Sequence, residues 1–110
     1  MKLLIVDDQQ ATLQGLAENI DWAGEGFQIV ETARNAMEAR LSFRRQEPDV
    51  MLCDIEMPVE TGMDLVRWVR EQGYETRVIF LTCHTEFRYA QEAIALRAND
   101  YVVQPAPYHV

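Results

Sequence analysis

Apolar residues gather in short runs at residues 3–6, 27–30, 50–53, 78–81 and 101–103, bounded by polar side chains and spaced about 25 residues apart. Runs without polar alternation suit strands covered on both faces, as in a parallel sheet; a half-wet antiparallel strand would alternate. Between the runs the period lengthens to that of a helix. Leu13, Leu16, Ala17 and Ile20 recur at i, i+3, i+4 and i+7, and the segment 21–26, with two glycines, breaks the pattern. A first helix is therefore expected over residues 10–20. Ala36, Met37, Arg40 and Leu41 mark a second helix before Pro48, and Leu65, Val66 and Val69 a third that ends near Gly73; a fourth is expected over residues 86–96. Strand and helix in alternation imply right-handed crossovers and an α/β fold, a doubly wound five-stranded parallel sheet with helices on both faces.

Residues 104–110 contain Pro105 and Pro107 and are too short for a covering helix, so the last helix is expected to be missing. Either the chain is a piece trimmed from a longer polypeptide or a partner chain covers the gap. At 110 residues it reads as one domain, residues 1–110.

Eighteen Asp and Glu against ten Lys and Arg give a net charge of −8, which repels a phosphate backbone. Direct nucleic-acid binding by this domain is not expected. The apolar runs fall far short of the about 20 residues a membrane helix needs. No signal-peptide pattern follows Met1. Two cysteines without a secretory signal fit free thiols in the cytoplasm.

In open α/β sheets, ligands bind at the carboxyl ends of the strands. Asp7 and Asp8 follow the first run, Asp54 the third, Thr82 the fourth, and Gln104 and Pro105 the fifth. Clustered carboxylates raise one another's pKa unless a cation sits among them. Hard oxygen donors suit Mg²⁺, and neither His nor Cys stands at soft-metal spacing, so zinc is not expected. Each residue also has a plainer explanation: Asp7 and Asp8 as caps of the first helix, Asp54 as the start of a turn, Thr82 as an ordinary strand end. Their joint occurrence at one sheet edge favours a ligand site. A carboxylate beside Mg²⁺ can attack a phosphoryl group and hold it as an acyl phosphate. Asp54, standing singly, is the nucleophile candidate, with Asp7 and Asp8 placed for metal and Thr82 for a hydrogen bond to a phosphoryl oxygen. Cys53 should face away from Asp54 into the core. Trp22 and Trp68 are expected to pack, and Cys83 and His109 have no role legible in the sequence.

The segments Leu4-Ile5-Val6-Asp7-Asp8, Asp54-Ile55-Glu56-Met57-Pro58 with Gly62 beyond, Leu81-Thr82 and Asp100-Tyr101 resemble the receiver domain of bacterial two-component response regulators. The resemblance covers the whole chain. Ile20-Asp21-Trp22, Gly26-Phe27, Ala33-Arg34-Asn35-Ala36 and Glu86-Phe87-Arg88-Tyr89-Ala90 look like the receivers attached to AraC-type DNA-binding modules.

The likeness implies a flavodoxin-like sheet of order 2-1-3-4-5 and a phosphoprotein of the phosphorelay, not an enzyme beyond slow self-dephosphorylation. Asp54 would take phosphate from a sensor histidine kinase, with Mg²⁺ held by Asp7, Asp8, Asp54 and the Glu56 carbonyl. Thr82 and Tyr101 match the switch pair that alters the fourth-helix and fifth-strand face, biasing an existing equilibrium. Met57, Pro58, Gly62 and Pro105 match loop-shaping positions, and Glu56 and His84 positions that influence loss of the phosphoryl group. An attached AraC-type output domain and a homodimer are implied partners. Gln104 departs from the pattern, which has Lys there. A Lys would bring a charge-assisted bond to the phosphoryl oxygens, whereas Gln brings a neutral amide.

Two further readings stand beside this one. A receiver with Gln104 could work without phosphate, as an interaction or dimerisation module. A metal-dependent phosphatase of the haloacid-dehalogenase type also places Asp after an apolar strand, but it needs a second Asp two residues on, where this chain has Glu56.

Overall fold

The computed structural model describes the backbone of residues 1–82 and 100–103 and the side chains of residues 1–81. The helix expected over residues 86–96, Cys83, His84 and the segment 104–110 lie outside the described residues. The elements are β1 (Lys2–Val6), α1 (Gln10–Glu18), β2 (Ile29–Ala33), α2 (Ala36–Arg45), β3 (Val50–Asp54), α3 (Gly62–Glu71), β4 (Arg77–Thr82) and β5 (Asp100–Val103), with a 3₁₀ turn at Ala23–Glu25. All strands are parallel and lie in the order β2-β1-β3-β4-β5.

Side chains alternate across the sheet, so each apolar run supplies two cores. Leu4, Val6, Met51, Cys53, Val78 and Phe80 face α2 and α3, where Phe43, Leu65, Val66 and Val69 meet them. Leu3, Ile5 and Leu52 face α1 through Leu13 and Leu16. Cys53 is fully buried, as expected, and burial pushes its thiol well up from the ordinary range. Trp22 and Trp68 both pack against these cores, the first edge-on to Phe27 and the second edge-on to Phe43.

The sequence pattern misplaces three details. The run at 27–30 is not the second strand, which starts at Ile29 and ends at Ala33. β2 is a sheet edge, so its outward residues are polar or exposed, and Phe27 belongs to the preceding turn against Trp22. α1 stops at Glu18, leaving Ile20 exposed; the Trp22 indole N–H donates to the Leu16 carbonyl at 2.8 Å, closing that end. On α2 the buried face is Ala36, Ala39, Ser42 and Phe43, whereas Met37 and Leu41 are 69% and 48% exposed. Small residues let α2 approach the sheet, so the core position passes to Ala39 and Ser42 rather than to the larger neighbours.

The helix starts are built locally. Asn35 Oδ1 accepts from the Glu38 amide at 2.8 Å at the start of α2. Thr61 and Asp64 form a reciprocal capping box at the start of α3, worth about 1 kcal/mol. At the opposite edge from the site, Lys2 is 1% exposed and donates its ammonium to the carbonyls of Ser42 (2.9 Å) and Gln46 (2.7 Å) and to Glu31 (3.0 Å). It thereby satisfies the Gln46 carbonyl just past the end of α2 and gives the Ser42 carbonyl a second donor beside the Gln46 amide at 3.1 Å.

Candidate functional site

The sheet register decides the site. Val6 pairs with Cys53 across β1 and β3, and Asp54 pairs with Leu81 across β3 and β4. Asp7 and Asp54 therefore leave the sheet side by side at its carboxyl edge. Each of Asp7, Asp8 and Asp54 offers a carboxylate oxygen within 4.8 Å of the others.

Neither Asp7 nor Asp8 caps α1. The N-cap is Gln9, which makes no side-chain cap bond, and Asp7 Oδ1 instead accepts the Gln9 amide at 2.9 Å. That bond turns the chain out of β1, while the Asp7 amide donates to the Ala33 carbonyl at 3.1 Å. Asp7 is buried and Asp8 and Asp54 are half-buried.

Three carboxylates this close in partial burial oppose one another's ionisation. Burial, then the charges of Asp7 and Asp8, push the Asp54 carboxyl up to about 7, although the Glu56 and Ile55 amides pull it partly back. Burial also raises Asp7, against the Gln9 amide, with Asp8 adding to the rise. A hard divalent cation would relieve this crowding, and the all-oxygen donor set fits Mg²⁺.

The loop after β3 is anchored at both ends. Ile55 and Met57 are buried, Glu56 and Pro58 are exposed, and the Gly62 amide donates to the Ile55 carbonyl at 2.8 Å. Val59 between them holds φ 70°, a left-handed conformation that a β-branched residue adopts only under constraint. Thr82 ends β4 opposite Val103, and Tyr101 lies in β5 opposite Phe80. Their backbones thus flank the same part of the sheet, while their side chains lie outside the described residues, as do Gln104, Pro105 and His84. Outside the set expected from sequence, Arg40 of α2 forms a two-pronged ion pair with Glu60 of the loop. A lone Arg and a lone Glu twenty residues apart carry no signal of pairing in the sequence.

A β2-β1-β3-β4-β5 parallel sheet with an acidic triad at its carboxyl edge describes a class of phosphate-switched signalling domains. Residues 3–108 match the response regulator receiver domain, and the chain belongs to that family. Receiver domains are signalling domains that bind Mg²⁺ in an acidic pocket and are phosphorylated by histidine kinases. The chain is 30% identical over 104 residues to the transcriptional regulatory protein YesN of Bacillus subtilis, covering 94% of this chain and 28% of YesN. It therefore spans less than a third of that relative's length. The REC domain of AraT, a response regulator from Geobacillus stearothermophilus, is 37% identical with a TM-score of 0.82, covering 94% of this chain and 81% of that one. The response regulator TrrA of Thermotoga maritima, solved in complex with Mg²⁺ and BeF, is 29% identical with a TM-score of 0.79, covering 97% of this chain and 89% of that one. Among the described residues, no helix is long and apolar enough to cross a membrane.

Proposed function

We propose that Asp54 is the phosphoacceptor of this receiver and that Asp7, Asp8, Asp54 and the Glu56 carbonyl hold its Mg²⁺. The observation that carries this reading is the convergence of the three carboxylates within 4.8 Å, with Asp54 driven up to about 7 by burial and by its two neighbours. When bound, Mg²⁺ supplies positive charge that favours ionised Asp54 and neutralises phosphoryl oxygens.

The chain's own residues do the rest. An Asp54 carboxylate oxygen forms the new O–P bond as the P–N bond to the kinase imidazole breaks, the electron pair staying on that nitrogen. Asp7, fixed by the Gln9 amide, keeps its carboxylate beside Asp54. Thr82 and Tyr101 serve as the switch pair, Met57, Pro58, Gly62 and Pro105 shape the flanking loops, and Glu56 and His84 modulate a slow self-dephosphorylation. The domain, residues 1–110, acts in the cytoplasm and passes its switch to an AraC-type DNA-binding output module, with homodimerisation as part of the output.

Gln104 motivates a second reading, a receiver that works without phosphate. Intact-mass spectrometry after incubation with acetyl phosphate, with and without Mg²⁺, separates the two. A single phosphoryl adduct that needs Mg²⁺ and disappears in Asp54→Ala is expected. Folded protein without an adduct would instead favour the phosphate-independent module.

A further inference from the structure

The loop that follows β3 carries a strained tight turn. Pro58 and Val59 are exposed, Val59 sits at φ 70°, and the Glu60 amide closes a tight turn onto the Pro58 carbonyl at 2.8 Å. A β-branched residue in the left-handed region persists only where the surroundings over-determine it. The contact next to it is Glu60 to Arg40. Arg40 Nη1 donates to Glu60 Oε1 at 2.7 Å and Nη2 to Glu60 Oε2, a two-pronged pairing of guanidinium and carboxylate. The guanidinium lies 5.4 Å from the Trp68 ring centroid, and Trp68 is packed against Phe43 and Tyr74 at 5.9 Å from each.

An exposed ion pair contributes little, but this one differs in three ways. Its geometry is bidentate, the Arg40 side chain is only 22% exposed, and an aromatic face holds the cation in place. We infer that Arg40 is a positioning residue for the metal-binding loop: seated on Trp68, it grips Glu60 and holds the turn 56–61 in the conformation from which the Glu56 carbonyl reaches the metal. This rests on the reading above, in which that carbonyl is a Mg²⁺ ligand. It couples a residue of α2 to a site built from β1 and β3.

The sign of one substitution separates positioning from electrostatics. Arg40→Ala removes a cation, so a purely through-space effect would tighten Mg²⁺ binding. Positioning predicts the reverse: Mg²⁺ affinity by calorimetry falls about tenfold in Arg40→Ala. Glu60→Gln loses a similar factor, the double variant loses no more than the worse single, and Arg40→Lys, which keeps the charge without the fork, recovers only part. Amide exchange of metal-free protein gives a readout independent of Mg²⁺. The Glu60 amide should exchange faster in Arg40→Ala relative to the Leu4 amide of β1, which gauges global opening. Unchanged or tighter Mg²⁺ binding in Arg40→Ala, or an unchanged Glu60 to Leu4 exchange ratio, overturns the inference. If the wild type takes up no Mg²⁺, the metal-site reading falls, and with it the link to the metal, while the exchange ratio still decides whether Arg40 fixes the turn.

Discussion

Gly62 stands against the backbone of Asp54 so closely that a Cβ on it would lie 2.2 Å from the Asp54 carbonyl oxygen. Real Cβ atoms do not approach backbone oxygen at that distance, and the oxygen belongs to the proposed acceptor residue. Gly62→Ala must therefore push the end of β3, the start of α3, or both. The expected loss is about 2–3 kcal/mol in urea unfolding, with weakened Mg²⁺ binding. A variant as stable as wild type would show that the α3 start shifts freely and that the close approach does not fix Asp54.

The acidic triad sets a pH dependence. Asp54 is raised from 3.8 to about 7, so the folded state binds this proton more tightly than the unfolded chain does. Its contribution is fully present below about pH 4 and is lost as pH rises through 7. Because the carboxyl keeps contact with water, its contribution stays well below the full shift at about 1.4 kcal/mol per pH unit. Relative to Asp54→Asn, metal-free wild type should lose about 1–2 kcal/mol between pH 4 and pH 8. Mg²⁺ at saturating concentration should restore most of it. Chemical denaturation of both proteins across that range checks the sign, and parallel curves without metal would refute the raised carboxyl.

Strands β1 and β3 were legible as apolar runs because both of their faces pack against helices, β4 because Val78 and Phe80 are buried on one face and Ile79 and Leu81 partly buried on the other, and α3 because Leu65, Val66 and Val69 share one face. The edge strand β2 was not, since an edge tolerates polar residues and the nearby Phe27 mimics a strand residue. The three aspartates were legible as candidates from their positions after strands. Their closeness was not, because it depends on β1 lying beside β3 with Val6 opposite Cys53, which is tertiary information. The Arg40–Glu60 and Lys2–Glu31 pairs were invisible for the same reason: each joins elements whose adjacency only the fold decides.

Lys2 and Glu31 make a second electrostatic prediction at the far edge of the sheet. Ser42 first, then Lys2 and Arg45, hold the Glu31 carboxyl down from 4.5 to about 2 against the opposing effect of burial. A depressed carboxyl contributes stability that is present above about pH 4.5 and lost as pH falls through 2. Lys2→Met removes the buried ammonium from Glu31 and leaves the Ser42 and Gln46 carbonyls without it. The expected loss is about 2–3 kcal/mol at pH 7, since Ser42 and Arg45 still reach Glu31. Denaturation at pH 7 and pH 2.5 should show this gap narrowing in acid. A gap that stays constant would assign the effect to the carbonyls alone.

Val59 offers a stabilising change. At φ 70° its branched Cβ crowds the backbone, and the side chain is fully exposed, so it recovers nothing by packing. Left-handed backbone costs an L residue about 1–2 kcal/mol, and Gly adopts it freely while losing about 0.5–1 kcal/mol of chain entropy. Val59→Gly should therefore raise stability by about 0.5–1 kcal/mol, whereas Val59→Ala should gain less because it keeps a Cβ. The comparison is read from urea midpoints at constant slope. If Val59→Gly is less stable than wild type, the turn 56–61 is not strained in solution and Arg40 holds no strained conformation there.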